Sequence, residues 1–149
     1  MIENRWRQEG RARFEEGSGG DILDIDRQGR MTLRTRDGTL TFWDSPDTLR
    51  RVYALVNSSY QERVKRRNLR NALDLVEQAL AFPLQNPYLR SALHYLQGDL
   101  QVGLGRYDDG EASLLRALEM YPGNNDANER LCEMEVLKAG RRVNMINTA

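Results

Sequence analysis

The chain has a single cysteine, Cys132, and a single histidine, His94, among its 149 residues. No disulfide can close within it, and one thiolate with one imidazole cannot assemble a Cys/His zinc site. Apolar runs are short, and none approaches the roughly 18 consecutive apolar residues that a membrane-spanning helix needs. The first residues carry charge with no apolar stretch behind them, so no secretory leader is expected. The glycines at 17, 19 and 20 lack the following Lys and Ser/Thr that make a phosphate loop. These absences leave the expectation of a soluble, cytoplasmic chain with no metal and no cofactor.

Hydrophobic residues make up 40% and charged residues 30% of the sequence, the balance of a globular chain rather than a disordered one. The formal net charge is zero, but it is divided unevenly. Residues 1–70 hold 15 Lys/Arg and 11 Asp/Glu, a net +4, and residues 71–149 hold 7 and 11, a net −4. The halves attract one another, within a chain or between chains.

The periodicity changes along the chain. Residues 2–16 read as a short polar helix anchored by Trp6 and Phe14, followed by the flexible break Gly17, Ser18, Gly19, Gly20. Three alternating segments come next: residues 22–26, 31–36 and 39–43. Asp37-Gly38 marks a hairpin turn, because a type I′ turn needs residues that accept positive φ. A three-stranded meander follows, with Leu23, Ile25, Met31, Leu33, Leu40 and Phe42 expected on one face and covered by helices further on. Asp44-Ser45-Pro46-Asp47 is a helix start, with a capping side chain ahead of Pro. Leu49, Val52, Tyr53 and Val56 then repeat at helical spacing. Asn57, Ser58 and Ser59 are candidates for a break, and a stripe from Tyr60 through Leu80 runs on to Pro83 and Pro87, which bracket a loop.

From Leu89 the spacing of small residues becomes informative. Gly98 stands on a first helix, Gly105 and Tyr107 mark a turn, and Gly110, Leu114, Ala117 and Pro122 mark a second helix and its close. Residues 91–125 thereby resemble the tetratricopeptide repeat, a pair of antiparallel helices of roughly 34 residues. His94, Gln97 and Gln101 stand where that family carries Trp, Leu and Tyr, which makes this first helix more polar. Residues 125–140 resemble the first helix of a further unit, with Leu131, Cys132 and Glu135 at its large, small and aromatic positions, as in a terminal cap. Upstream, Ala72, Val76, Ala79 and Leu80 mimic the second helix of a preceding unit, and Ala117 follows Ala79 by 38 residues. The fold expectation is α+β: a small N-terminal antiparallel β-meander, then tetratricopeptide-like antiparallel helical hairpins. The division expected is residues 1–45 and residues 46–149.

The resemblance implies a non-enzymatic protein-binding role, because in that family the first helices line a groove for peptide or protein partners. Carried onto this sequence, the groove residues are Ala92, Tyr95, Asp99 and Val102, then Asp126, Glu129 and Glu133. Tyr95 and Asp99 occupy positions where chaperone-binding members carry a Lys/Asn/Arg clamp, so that clamp is absent. An acidic floor with one aromatic fits a basic or amphipathic segment. Self-association of the oppositely charged halves is the alternative class. The run Arg63, Lys65, Arg66, Arg67 and Arg70 could meet phosphates on nucleic acid, but zero net charge and sparse aromatics weigh against it. His94 has no carboxylate or nucleophile beside it in sequence, and packing between helices is expected instead. A buried, inert thiol is the expectation for Cys132, since Glu129, Glu133 and Glu135 give it acidic surroundings. Asp108, Asp109 and Glu111 open a helix, where the helix dipole favours them.

Overall fold

Alternation of apolar and polar side chains builds three antiparallel strands, β1 (Asp21–Ile25), β2 (Arg30–Thr35) and β3 (Gly38–Trp43), in the spatial order β1-β2-β3. The structure is a computed structural model that describes residues 21–25, 30–35 and 38–148, with side chains described for 30–32 and 38–140. The helix expected over 2–16 and the glycine-rich break lie outside the described residues. The β2–β3 register pairs Met31 with Phe42, Leu33 with Leu40 and Thr35 with Gly38. Gly38, expected in the turn, is instead paired with Thr35 and opens β3 with φ of 130°. That register sets Met31 opposite Phe42 and carries Met31 wholly into the core, with Phe42 packed beside it.

A register shift between Ile22 and Asp24 leaves Ile22 opposite Leu33 and Ile25 opposite Met31. One expectation for the sheet face is corrected. Leu40 is 50% exposed, because the cover that the helices provide ends at Met31 and Phe42.

Five helices follow: α1 (Pro46–Val64), α2 (Leu69–Leu80), α3 (Pro87–Gly103), α4 (Tyr107–Met120) and α5 (Asn125–Thr148). Their starts are written in side-chain caps. The Ser45 hydroxyl accepts from the Thr48 N–H at 3.1 Å, and the Asn86 side chain accepts from the Tyr88 and Leu89 N–H groups, each just ahead of Pro in the first turn. Asn68 and Asn124 accept from the N–H groups of Asn71 and Ala127. Asn57, Ser58 and Ser59 do not break α1. Ser59 is buried and its hydroxyl donates to the Ala72 carbonyl at 2.8 Å, so a polar residue becomes the point where α1 and α2 approach. The break falls at residues 65–68, where Arg67 takes φ of 52°. The basic run 63–70 is consequently split between the end of α1, a turn and the start of α2.

α1 with α2 and α3 with α4 form two antiparallel hairpins. In the second, a Cβ added to Gly98 would lie 2.8 Å from Leu114 Cγ and 3.0 Å from the Gly110 carbonyl oxygen. Glycine is required there because only its absence of Cβ lets the two backbones come so close. Ser91 donates to the Ala117 carbonyl at 2.6 Å and accepts from Asn124 Nδ2 at 2.8 Å, tying α3 to α4 and to the cap of α5. The core extends from the sheet through the hairpins in three clusters. Met31, Val52, Leu93 and Tyr121 belong to one cluster, Val76 and Leu100 to a second, and Val102, Leu114, Ala127 and Met134 to a third. Tyr88 and Tyr121 meet edge to face with ring centroids 6.0 Å apart. The sheet's far end is secured separately: both oxygens of buried Asp44 accept backbone N–H groups, from Gln85 at 2.7 Å and Asn86 at 3.0 Å.

Candidate groove across the first helices

The polar positions of α3 divide into two sets. His94, Gln97 and Gln101 turn toward α4, where Ser113 Oγ lies 2.6 Å from Gln101 Oε1 and 3.1 Å from Gln97 Oε1. His94 Nδ1 is 3.2 Å from the same Gln97 oxygen. This polar seam replaces the apolar contacts of the family pattern and keeps its buried groups hydrogen-bonded, which is the condition for their burial. Burial pushes the His94 pKa below its ordinary value of 6.5, aided by Arg116 and Arg90 and opposed by the hydrogen bond with Gln97. The imidazole is a packed core group, as its position in the repeat implies.

Tyr95 and Asp99, one and two residues beyond members of that seam, face the other way. Asp99, with a side chain only 10% exposed, is held between two guanidinium groups: Arg63 of α1 at 2.9 Å and Arg130 of α5 at 2.9 Å. Arg130 also reaches Glu133 at 2.8 Å. One carboxylate thus joins three first helices that lie far apart in sequence. Tyr95, Asp99, Arg63, Arg130, Asp126, Glu129 and Glu133 line one open cleft of about 260 Å³. Burial, then Asp99 and Asp126, push the Tyr95 phenol up to about 12, against the opposing pull of Arg63 and Arg130. The phenol therefore stays protonated and can donate a hydrogen bond at any physiological pH.

Five of the seven expected groove residues come together here: Tyr95, Asp99, Asp126, Glu129 and Glu133. Ala92 and Val102 do not. Ala92 packs against the cluster around Leu89 and Leu93, and Val102 is 5% exposed against α4, because the Gly110 backbone leaves room for it. Arg63 and Arg130 are the two lining residues that the sequence pattern missed. Opposite charges at 63, 99 and 130, spaced close to one repeat length, were the available signal.

The remaining candidates are dispersed. Arg63 serves Asp99 and Arg66 pairs with Glu62 at 2.8 Å, leaving Lys65, Arg67 and Arg70 exposed around the α1–α2 turn. Cys132 is exposed, contrary to the buried thiol expected from its repeat position, because no described residue packs over that side of α5. Lys138 of α5 meets Glu111 at 2.5 Å and Asp108 at 3.9 Å, so the acids that open α4 act in an ion pair between helices. Among the described residues no cluster of three metal-ligating side chains occurs, and no helix is long and apolar enough to cross a membrane.

Two stacked antiparallel hairpins and a closing helix, with close contacts at Ser59/Ala72 and Gly98/Gly110, define an α-helical repeat. A sequence model of the tetratricopeptide repeat matches residues 61–125 and again 95–134. The chain is a tetratricopeptide-like helical repeat protein, and repeats of this family generally mediate contacts between proteins and are typically non-enzymatic. Searches among curated proteins and among solved structures returned no match.

Proposed function

We propose that the chain is a non-enzymatic adaptor whose cleft across α1, α3 and α5 seats a basic or amphipathic segment of a partner protein. The observation that carries this reading is the convergence of four carboxylates, Asp99, Asp126, Glu129 and Glu133, with the Tyr95 ring in one open cleft. The lining holds four carboxylates against two guanidinium groups, Arg63 and Arg130, a preponderance of acid that suits Lys or Arg side chains of a guest. Tyr95 adds an aromatic face and a phenol proton, which suits a cation or a backbone carbonyl of the guest. Asp99 is a poor choice for a binding test, since its loss also frees Arg63 and Arg130. Glu129 is exposed, outside every described ion pair, and a better probe.

The test uses a Lys/Arg-rich amphipathic peptide and its Glu-rich counterpart, with affinity measured by calorimetry. The basic peptide binds, the acidic one does not, and Glu129→Lys weakens binding about tenfold, or roughly 1.4 kcal/mol. Equal binding of both peptides, or affinity indifferent to Glu129→Lys and Tyr95→Ala alike, would reject the cleft as the site. Nucleic acid is the weaker reading, because two of the five basic residues 63–70 are already committed to Asp99 and Glu62.

A further inference from the structure

Asp99 holds its two arginines unequally. Arg130 Nε lies 2.9 Å from Oδ1 and Arg130 Nη1 lies 2.8 Å from Glu133 Oε2, so two carboxylates fix this mostly buried guanidinium. Arg63 Nη1 lies 2.9 Å from Oδ2, and among the described ion pairs Asp99 is the one carboxylate it reaches. Arg63 stands in the last turn of α1, and its side chain is nearly half exposed. An ion pair open to water is weak, because water solvates the released guanidinium. Arg63 can therefore leave Asp99 at small cost, whereas Arg130 cannot.

Asp99 needs a partner at Oδ2 all the same. Its side chain is largely buried, and a buried carboxylate oxygen stripped of its cation is costly. Any guanidinium that reaches Oδ2 can take the place of Arg63. The cleft gives access to that place, since Asp99 and Arg63 both line it. Tyr95, four residues before Asp99 on the same side of α3, lines it too. An arginine entering there finds a carboxylate that matches its planar fork and an aromatic ring to stack on. Lysine has neither the fork nor the flat face.

We infer that Arg63 is a built-in competitor for the guest: in the unbound chain its guanidinium holds Asp99 Oδ2, and an arginine of the bound segment displaces it. Arg63 then turns out into solvent, while Arg130 stays between Asp99 and Glu133. This rests on the reading of the cleft as the guest site and adds to it the guest's anchor residue, an arginine, and a contact that restrains binding. The apparent affinity falls by the fraction of chains in which Arg63 occupies Asp99.

Calorimetry on the full chain tests it, with the Lys/Arg-rich amphipathic peptide and a version in which every arginine is lysine. Arg63→Gln binds the arginine-containing peptide about two- to fivefold more tightly than the parent chain, opposite in sign to Glu129→Lys. Lys65→Gln removes the same charge two residues on, outside the cleft lining, and changes the affinity less than about twofold. The all-lysine peptide gains nothing from Arg63→Gln. A second measurement uses the unaltered chain: on saturation with the arginine-containing peptide, the Arg63 side-chain NMR signal moves to the position of a solvated arginine and the Arg130 signal does not. Arg63→Gln binding no tighter than Lys65→Gln, an equal gain with the all-lysine peptide, or an Arg63 signal unmoved at saturation would each overturn the exchange, while Glu129→Lys still reports on the cleft. No binding by either the parent chain or Arg63→Gln would remove the cleft reading and this inference together.

Discussion

Gly98 shows how one missing side chain sets the spacing of a hairpin. In an exposed helix, Gly→Ala gains about 1 kcal/mol in helix propensity. Here the added methyl meets the branched carbon of Leu114 at 2.8 Å and the Gly110 carbonyl at 3.0 Å. Neither is a free side-chain tip, and overpacking of this kind costs about 1–3 kcal/mol. Gly98→Ala is therefore expected to lower the urea midpoint despite its better propensity. His94 makes a second prediction at this scale. Its folded pKa lies below 6.5, so the unfolded chain takes up the proton more readily. The stability due to neutral His94 is present above the unfolded value and is lost as pH falls below it toward the folded pKa. The melting temperature should drop between about pH 7.5 and about pH 5.5, and His94→Gln should drop less.

At the scale of elements, Asp99 is the joint of the first helices. Its two ion pairs are unequal, because Arg130 is 23% exposed and Arg63 is 45% exposed. A double-mutant cycle on Asp99 and Arg130 should yield a coupling of about 1–2 kcal/mol, and the cycle with Arg63 a few tenths to about 1 kcal/mol. Equal couplings would mean that exposure does not govern this joint. Neither arginine was assigned to the groove from sequence: the charge spacing hinted at them, but each meets Asp99 only through the stacking of units. The hairpins themselves were legible. Gly98, Gly110, Ala117 and the Ser45 and Pro46 start act within one or two turns, and local spacing reports them. Asn57 to Ser59 misled for the opposite reason. Their local preference is for a break, but Ser59 uses its hydroxyl on Ala72 and the helix continues. Ala92 and Val102 were assigned to the groove by register, and the direction they take depends on how far each helix rolls against its neighbours.

For the whole molecule, the sheet and the hairpins share one core through Met31, Leu49, Val52 and Tyr121, and Asp44 pins β3 to the entrance of α3. The alternation of residues 31–43 made the sheet legible. Its attachment was not, because Asp44 finds its partners about forty residues later. The repeat register likewise placed Cys132 inward, on the premise that a following helix covers it, and no described residue does so. What the molecule leaves facing solvent is an acidic cleft on one side and the open side of α5 on another. The central claim concerns the cleft, and amide chemical-shift mapping tests it directly. On adding a Lys/Arg-rich amphipathic peptide, the shifts should concentrate at Tyr95, Asp99, Asp126, Glu129 and Glu133. Shifts confined to the turn around Lys65–Arg70 or to residues 132–140, with those five unmoved at saturation, would contradict the account.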